Sequence, residues 1–436
     1  MPSSARLSVA LTLALAASFA QAELRLSPSG TGGAVYVPYF TVENGQSSLL
    51  TVTNHSDAPA SVGINFTEQQ NGQAALYFMV FLPPKSAWTA AVVSSGESAL
   101  MSTDSEVCTV PQIPPGGVRL RNFDYAQNFP DGGPTSLQRT RSGAIELIEG
   151  ATLSGALAAS TVGRDCNALT MRYLPGAGSR IADLSAPAQG ISASVQVVNV
   201  EEGALYPVAG VAVRGYSDKP LDIDPSGPFP RFSRPVLPTA SLEFVAHTPA
   251  GDRLAFAANR GPDAISSLFM QGSLGGEIQE NATLNADTQW VLSFPTKHEY
   301  VARFQGTLAS RVGAGQALPP FARAFAAGGS CETIAYGQTA FSGGLQPSPD
   351  TLDLCFEQTI LEFEPNQSGL GSLRFDVGAT REISARRLSD GQTVRLRGLP
   401  VIGQRLSRFV NGSAGGGTLA NYTVALPLAG EPSRAE

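Results

Sequence analysis

The stretch SLLTVTNHSDAPASVGINF, residues 48–66, decides the fold class of this chain. In its second half, Val62, Ile64 and Phe66 alternate with glycine and asparagine. A period of two places one face of a strand on a core and the other face in water. Turn residues separate the two apolar runs, so the pattern predicts a β-hairpin of the kind that opens many immunoglobulin-like sandwiches.

Strand-like runs recur along the whole chain, and helical patterns are rare. In the first half they lie at Ala34–Val42, Tyr77–Leu82, Trp88–Val93, Gly143–Glu149 and Ser192–Val200, and the second and third of these are predicted to pair. In the second half they lie at 241–246, 290–294, 359–364, 373–377 and 394–399. One helix is predicted at Asp263–Gln271, with Asp263 as its N-cap, and a helical turn at Arg323–Ala327. Strands without long helices favour an all-β, mainly antiparallel protein.

Length and proline content predict the domain organisation. At roughly 100–200 residues per domain, a chain of 436 residues corresponds to two domains. Six prolines fall within 217–238, a segment with little periodicity. We therefore expect two immunoglobulin-like β-sandwich domains, an N-terminal one at 23–216 and a β-rich one at 239–436, joined by a proline-rich linker at 217–238.

Residues 1–22 have the pattern of a cleavable signal peptide. Arg6 supplies a basic start, Leu7–Phe19 is an apolar run too short to span a bilayer, and AQA at 20–22 is a small-x-small cleavage site. Glu23 is therefore the expected N-terminus of the exported protein. No later run approaches about 18 apolar residues, so we expect a mature chain that is soluble in the periplasm, at the cell surface or in the medium.

Four cysteines fit an oxidising compartment. Cys108, Cys166, Cys331 and Cys355 can pair in three ways, and none lies in the C-x-x-C motif that zinc knuckles and thioredoxin-like sites use. We expect the bridges Cys108–Cys166 and Cys331–Cys355, because each then closes within one half of the chain.

Charge and composition restrict the partners. Charged residues make up only 15% of the chain, and the net charge is −7. An acidic chain is disfavoured as a partner of nucleic acid or of an anionic membrane. Cell-surface polysaccharide and other envelope proteins remain as candidate partners.

A dense charged set lies at 139–149. Its members Arg139, Arg141, Glu146 and Glu149 either bind an anionic group or pair across strands. These four are the candidate binding residues that the sequence offers.

Further patterns have a chemical interpretation. Glu362 and Glu364 lie two apart on a predicted strand and could act on a glycosidic bond, although any solvent-facing strand shows this spacing. The segment 222–227 copies the first half of a calcium loop, but its twelfth position is Ser233 where a glutamate is required. His298 lacks the second histidine of a zinc-protease motif. We predict no catalytic residue, no metal and no cofactor.

Aromatic residues cluster between 36 and 88. Such a cluster either fills a sandwich core or forms an exposed platform for sugars. Trp88 opens a strand with small and branched apolar residues at every second position, so we predict that it lies in the core.

Eight segments follow one another in a characteristic order: VYVPYFTV (35–42), YFMVFLPPKSAWTAAVV (77–93), CTVP (108–111), RTRSGAIELIE (139–149), DCNAL (165–169), DAISSLFM (263–270), WVLSFPTKHEYV (290–301) and LPVIG with GGGTLANY (399–403, 415–422). Together they resemble an uncharacterised family of exported proteobacterial proteins, from which the chain departs at LTVTN (50–54). The resemblance implies export and two disulfides, and it brings no active site with it.

Three functions follow as hypotheses. The leading one is a non-enzymatic structural or binding protein of the cell envelope or extracellular space. The alternatives are an enzyme acting on polysaccharide and a protein that binds a small ligand or saccharide between the two halves.

Overall fold

Antiparallel β-strands form most of the structure, a computed structural model that describes residues 23–173, 180–225, 227, 229–236, 243–257, 260–283, 285–301, 316–342, 350–365, 367–376, 381–413 and 419–436. The helices are short: α1 (Gly155–Val162), α2 (Cys166–Arg172), α3 (Gly261–Phe269) and α4 (His298–Val301), with a π-helical turn at Asp124–Asn128 and 3-10 turns at Leu137–Arg141 and Ile181–Asp183. The expected mainly antiparallel β class is confirmed.

The larger part of the β-structure forms two sheets. Sheet I contains β1 (Glu23–Leu26), β2 (Ala34–Thr41), β4 (Ala60–Glu68), β5 (Ala74–Leu82), β8 (Thr109–Val110), β10 (Ser142–Leu153), β11 (Leu184–Ser185), β14 (Val211–Arg214), β15 (Glu243–His247), β16 (Arg253–Ala257), β23 (Glu382–Arg387) and β24 (Thr393–Arg397). Its order is β24-β23-β16-β15-β1-β14-β2-β10-β4-β5-β8, with β11 beside β10. Sheet II contains β3 (Gln46–Asn54), β6 (Ala87–Ser95), β7 (Ser98–Ser102), β9 (Val118–Arg119), β12 (Ile191–Asn199) and β13 (Ala204–Ala209), in the order β13-β12-β3-β6-β7-β9.

Two smaller sheets follow later in the chain. Sheet III contains β17 (Met270–Ile278), β19 (Glu332–Ala340), β20 (Thr351–Leu354), β22 (Gly369–Arg374), β25 (Leu399–Pro400) and β28 (Ala429–Pro432), in the order β20-β19-β22-β17-β25, with β28 beside β17. Sheet IV contains β18 (Ala286–Ser293), β21 (Gln358–Glu362), β26 (Ile402–Ser413) and β27 (Leu419–Pro427), in the order β21-β18-β26-β27.

The hairpin predicted for residues 48–66 is wrong. β3 pairs with β6 and β12 in sheet II, whereas β4 pairs with β5 and β10 in sheet I. The turn between β3 and β4 therefore crosses from one sheet to the other. The physical reason is burial: β4 is buried at every residue, so it takes a central place in sheet I between two neighbours.

The predicted pairing of the next two strands is also wrong. β5 pairs with β4, and β6 pairs with β3, so the chain crosses between the sheets again at residues 83–86. Sheets I and II thus cover a shared core, which contains Phe66 and Phe78 from sheet I and Trp88 from sheet II. Trp88 is fully buried, as predicted, with its ring centroid 5.6 Å from that of Phe78.

The segment 217–238 is packed against the sheets in its described part. Phe232 and Ser233 are fully buried, whereas a linker that only separates domains is solvated. Sheet I also contains strands from both sides of this segment, since β1 pairs in parallel with β15. The division into two folding units stays a prediction.

The helix predictions are corrected in detail. α3 begins at Gly261 with Arg260 as its N-cap, so Asp263 is not the N-cap. The Asp263 carboxylate instead accepts hydrogen bonds from Tyr300 and Arg260. Residues 323–327 contain a bend and the start of a turn, and no helix.

The predicted disulfides Cys108–Cys166 and Cys331–Cys355 are both present. In the described part of the chain, no helix is long and apolar enough to cross a membrane. The predicted signal peptide, residues 241 and 242 of one predicted strand and residue 377 of another lie outside the described residues.

Candidate functional site

Arg139 is the most deeply buried cation of the predicted binding set, with 1% of its surface exposed. Its Nε and Nη2 atoms donate to Glu68 at 2.9 and 2.8 Å. Its Nη2 and Nη1 atoms donate to Asp131 at 2.8 and 3.2 Å. The guanidinium carbon also lies 4.0 Å from the ring centroid of Tyr125. The donors of Arg139 are thus directed to groups of its own chain.

Glu146 belongs to a buried charge network between β10 and the second half of the chain. It accepts hydrogen bonds from Asn65 Nδ2 at 2.8 Å and from Arg231 Nε at 2.9 Å. Arg231 also lies 3.3 Å from His298 Nε2, and the other ring nitrogen of His298 lies 2.8 Å from Glu357. Burial alone would lower the pKa of His298, but the Glu357 carboxylate outweighs it and raises this pKa to about 9.

Glu149 and Arg141 have partners of their own. Glu149 accepts backbone N–H bonds from Ala188 and Gly190 at 2.9 and 3.3 Å, and burial raises its pKa to about 7. Arg141 donates to Glu43 at 2.8 Å and to the carbonyl oxygen of Gly96. The hydrogen bonds of the four predicted residues run to four different sets of partners, and their role as a binding site stays a prediction.

The loop at residues 121–136, here called the aromatic loop, is attached to the sheets through Arg139. Within the loop, Tyr125 donates its hydroxyl to the carbonyl oxygen of Ser136 at 2.9 Å. Asn122 Nδ2 donates to the carbonyl oxygen of Thr135 at 2.7 Å. These bonds join the two ends of the loop, and buried Asp131 connects its interior to Arg139.

Two phenylalanines of the aromatic loop are exposed. Phe123 and Phe129 flank the π-helical turn and have 45% and 48% of their surface exposed. The guanidinium of Arg121 lies 5.2 Å from the ring centroid of Phe123. Gln127 and Asn128 are exposed beside them, and their carboxamides can donate and accept hydrogen bonds. Asn128 Nδ2 already donates to Asp124 at 3.0 Å, which leaves its oxygen and its second N–H. The loop therefore presents apolar rings and neutral polar groups together on a fixed frame.

Sequence reasoning did not single out Phe123 and Phe129. The available signal was their place between 96 and 140, a stretch whose proline, glycine, asparagine and aspartate content predicts a long loop, since such loops are usually functional or pinned. The structure places the short strands β7, β8 and β9 in its first part. This loop is pinned through Arg139 and Asp131. A phenylalanine in a sequence is read as core by default, so only the structure shows that these two rings face outward.

The residues of the metal-like, calcium-like and paired-glutamate patterns do not come together in one site. Within the described residues, no group of three or more histidine, cysteine, aspartate or glutamate side chains could hold a metal ion. Asp222, the first residue of the calcium-like segment, forms an ion pair with Arg180 at 2.6 Å. Glu362 and Glu364 are exposed, and Glu362 accepts a hydrogen bond from Gln289 at 3.2 Å.

An open cleft of about 480 Å³ lies elsewhere, beside β16 and β23. Its lining includes the apolar residues Phe256 and Ile383 and the charged residues Arg260, Asp263, Glu243, Glu382 and Arg386. Arg260 is paired with Asp263, and Arg386 is paired with Glu243. The cleft therefore has a mixed lining in which both arginines are paired with carboxylates.

Comparison with known proteins gives no further assignment. No protein-family model matches this chain, and no curated protein matches it with significance.

Proposed function

We propose that this chain is an exported, non-enzymatic binding protein of the cell envelope or extracellular space, and that the aromatic loop is its binding site. The observation that carries the proposal is the exposure of Phe123 and Phe129 on a loop whose Asp131 is bonded to fully buried Arg139. A rigid aromatic side chain offers a large contact area at low conformational cost. Exposed rings on a pinned loop are therefore suited to recognition.

Export is proposed on three grounds. The signal pattern of residues 1–22 precedes the described chain. The bridges Cys108–Cys166 and Cys331–Cys355 fit an oxidising compartment. The resemblance to an exported proteobacterial family points the same way. We also propose that 23–216 is an immunoglobulin-like sandwich, because β3–β4 and β5–β6 each cross between two sheets over one core.

The ligand class we propose is a neutral saccharide of the cell surface or medium. Sugar rings present C–H faces that stack on aromatic rings, and they present hydroxyl groups that bond to carboxamides such as those of Gln127 and Asn128. The loop carries Arg121 as its one basic residue and also contains Asp124 and Asp131. An anionic membrane or nucleic acid is disfavoured by that balance.

The test is binding of the mature chain, residues 23–436, to a glycan array and to neutral polysaccharides in affinity electrophoresis. We expect retardation by at least one neutral polysaccharide and its loss in the double variant Phe123→Ser/Phe129→Ser. The matched control is Leu49→Ser, which replaces an exposed apolar side chain of sheet II and should bind as the parent does.

Two outcomes would overturn the proposal. One is the absence of saccharide binding by the folded parent chain. The other is binding that the double variant retains in full. Release of reducing ends from a bound polysaccharide, abolished by Glu362→Gln/Glu364→Gln, would instead favour the enzyme hypothesis.

A further inference from the structure

The last long strand of the chain lies at a sheet edge. β27 is the terminal strand of sheet IV, and it pairs with β26 alone among the described strands. Its sequence, LANYTVALP, contains no charged residue. The unpaired N–H and C=O groups of an edge strand are a template for another strand.

One face of β27 is apolar and exposed. Tyr422, Val424 and Leu426 alternate along it with 64%, 37% and 48% of their surfaces exposed. On the other face, the side chains of Asn421 and Thr423 donate to the carbonyl oxygens of Glu202 and Leu205. The second face therefore fixes the strand in place, and the edge is preformed.

One edge strand in each of the other three sheets carries the usual protection against pairing. β24, at the end of sheet I, contains Arg395 and Arg397. β13, at the end of sheet II, contains Pro207, and β20, at the end of sheet III, contains Asp353. Charges and prolines of this kind prevent edge-to-edge association. β27 is without such a residue until Pro427 at its last position.

We propose that β27 pairs antiparallel with β27 of a second copy of this chain. A two-fold register centred on Val424 places Val424 opposite Val424 and Tyr422 opposite Leu426 of the second copy. Pairs of aromatic and aliphatic side chains stabilise neighbouring strands. The same residues meet from both sides, as a two-fold interface requires.

Charge and area determine the character of this dimer. Each copy carries a net charge of −7, so two copies repel each other over most of their surfaces. At the uncharged strand β27, the two copies can meet without bringing like charges together. An edge pairing through the nine residues of β27 buries less than the roughly 800 Å² per partner of a standard stable interface. The dimer is therefore weak, and its population rises with protein concentration.

Sedimentation velocity of the mature chain over a wide concentration range tests the pairing. We expect the weight-average sedimentation coefficient to rise from that of a monomer towards that of a dimer. The variant Val424→Lys should remain monomeric, because two ammonium groups would face each other at the centre of the pair. The matched control Met171→Lys adds the same charge at an exposed position on α2 and should associate as the parent does.

A cross-link tests the register independently of charge. Directly opposed residues of paired strands have Cβ atoms about 4.5–5.5 Å apart, so a Val424→Cys variant should form a disulfide-linked dimer upon mild oxidation. A Met171→Cys variant should not. A parent chain that stays monomeric at every concentration, or a dimer that persists in Val424→Lys, would overturn the proposal. The test is separate from saccharide binding, which concerns the aromatic loop.

Discussion

Arg139 and Asp131 form a bidentate ion pair that connects the core of the protein to the interior of the aromatic loop. The two N–O distances are 2.8 and 3.2 Å, and both side chains are almost completely buried. Glu68 accepts hydrogen bonds from Nε and Nη2 of the same guanidinium. The position of the exposed rings therefore depends on a charged group that is itself buried.

Replacing Arg139 by methionine should cost about 3–5 kcal/mol of unfolding free energy. That is the range for removing one partner from a buried ion pair, because the other charges remain buried without compensation. In Arg139→Met, the carboxylates of Glu68 and Asp131 would both remain buried without a cation beside them. Urea denaturation of the mature chain measures the loss.

The control for this prediction is Arg141→Met, two residues along. Arg141 pairs with Glu43, whose side chain is 42% exposed. A pair with an exposed partner contributes about 0–1 kcal/mol. The hydrogen bonds of Arg141 to Ser94, Gly96 and Val42 add to the loss, which should still be smaller than that of Arg139→Met because no buried carboxylate is left unpaired. Equal losses in the two variants would contradict the role we assign to burial at Arg139.

Trp88→Ala should destabilise the protein by about 3–5 kcal/mol, the range for truncating a buried large aromatic residue. Trp88 is fully buried between sheets I and II beside Phe78. Trp88→Phe keeps an aromatic ring and should cost less. A loss below about 1 kcal/mol for the alanine variant would mean that the indole is not part of the core.

The contribution of Glu149 to the stability of the protein should fall as the pH rises from 4.5 towards 6.5. Burial raises the folded-state pKa of Glu149 from 4.5 to about 7, so the folded state holds this proton more tightly than the unfolded state. The contribution is fully present below pH 4.5 and is lost as the pH rises to about 7. One such group gives a slope of at most about 1.4 kcal/mol per pH unit.

The variant Glu149→Gln isolates this effect. Glu280, whose pKa burial likewise raises to about 7, adds a slope of the same sign, so the quantity of interest is the difference between parent and variant. We expect a smaller slope in Glu149→Gln and an unchanged slope in Glu97→Gln, which removes an exposed carboxylate. Free energies of unfolding at several pH values between 4.5 and 6.5 decide it. Identical slopes in all three proteins would refute the assignment.

Strand positions could be predicted from the sequence, but strand partners could not. The alternation around Ile64 identifies β4, and the apolar run after Trp88 identifies β6. The alternation of apolar and polar residues indicates which face of a strand is buried, but it does not indicate which strand lies beside it. A short turn such as the one between β3 and β4 can close a hairpin or cross a sandwich. The choice is made by burial of β4 between β5 and β10, and β10 lies about 80 residues further along the chain.

Only part of the candidate site could be predicted from the sequence. The charge pattern drew attention to Arg139, yet its partner Glu68 is 71 residues away, and no local pattern connects them. Phe232 shows the same limit, because prolines around it predict a linker while the side chain is buried. The disulfides could be predicted, since each joins cysteines within one half of the chain.

Cleavage after Ala22 should produce a mature protein that begins at Glu23. The small residues at 20 and 22 follow a 13-residue apolar run, Leu7–Phe19, which is the order that signal peptidase requires. Glu23 is then the first residue of β1, where it lies opposite Val245 of β15 and its carboxylate bonds to His247 and Arg253. N-terminal sequencing of protein recovered from the envelope or medium checks the site. An Ala22→Arg variant should accumulate uncleaved, because a bulky charged residue does not fit a small-residue cleavage position, whereas Glu23→Gln should be processed as the parent is. Recovery of exported parent protein with Met1 intact would refute the signal peptide.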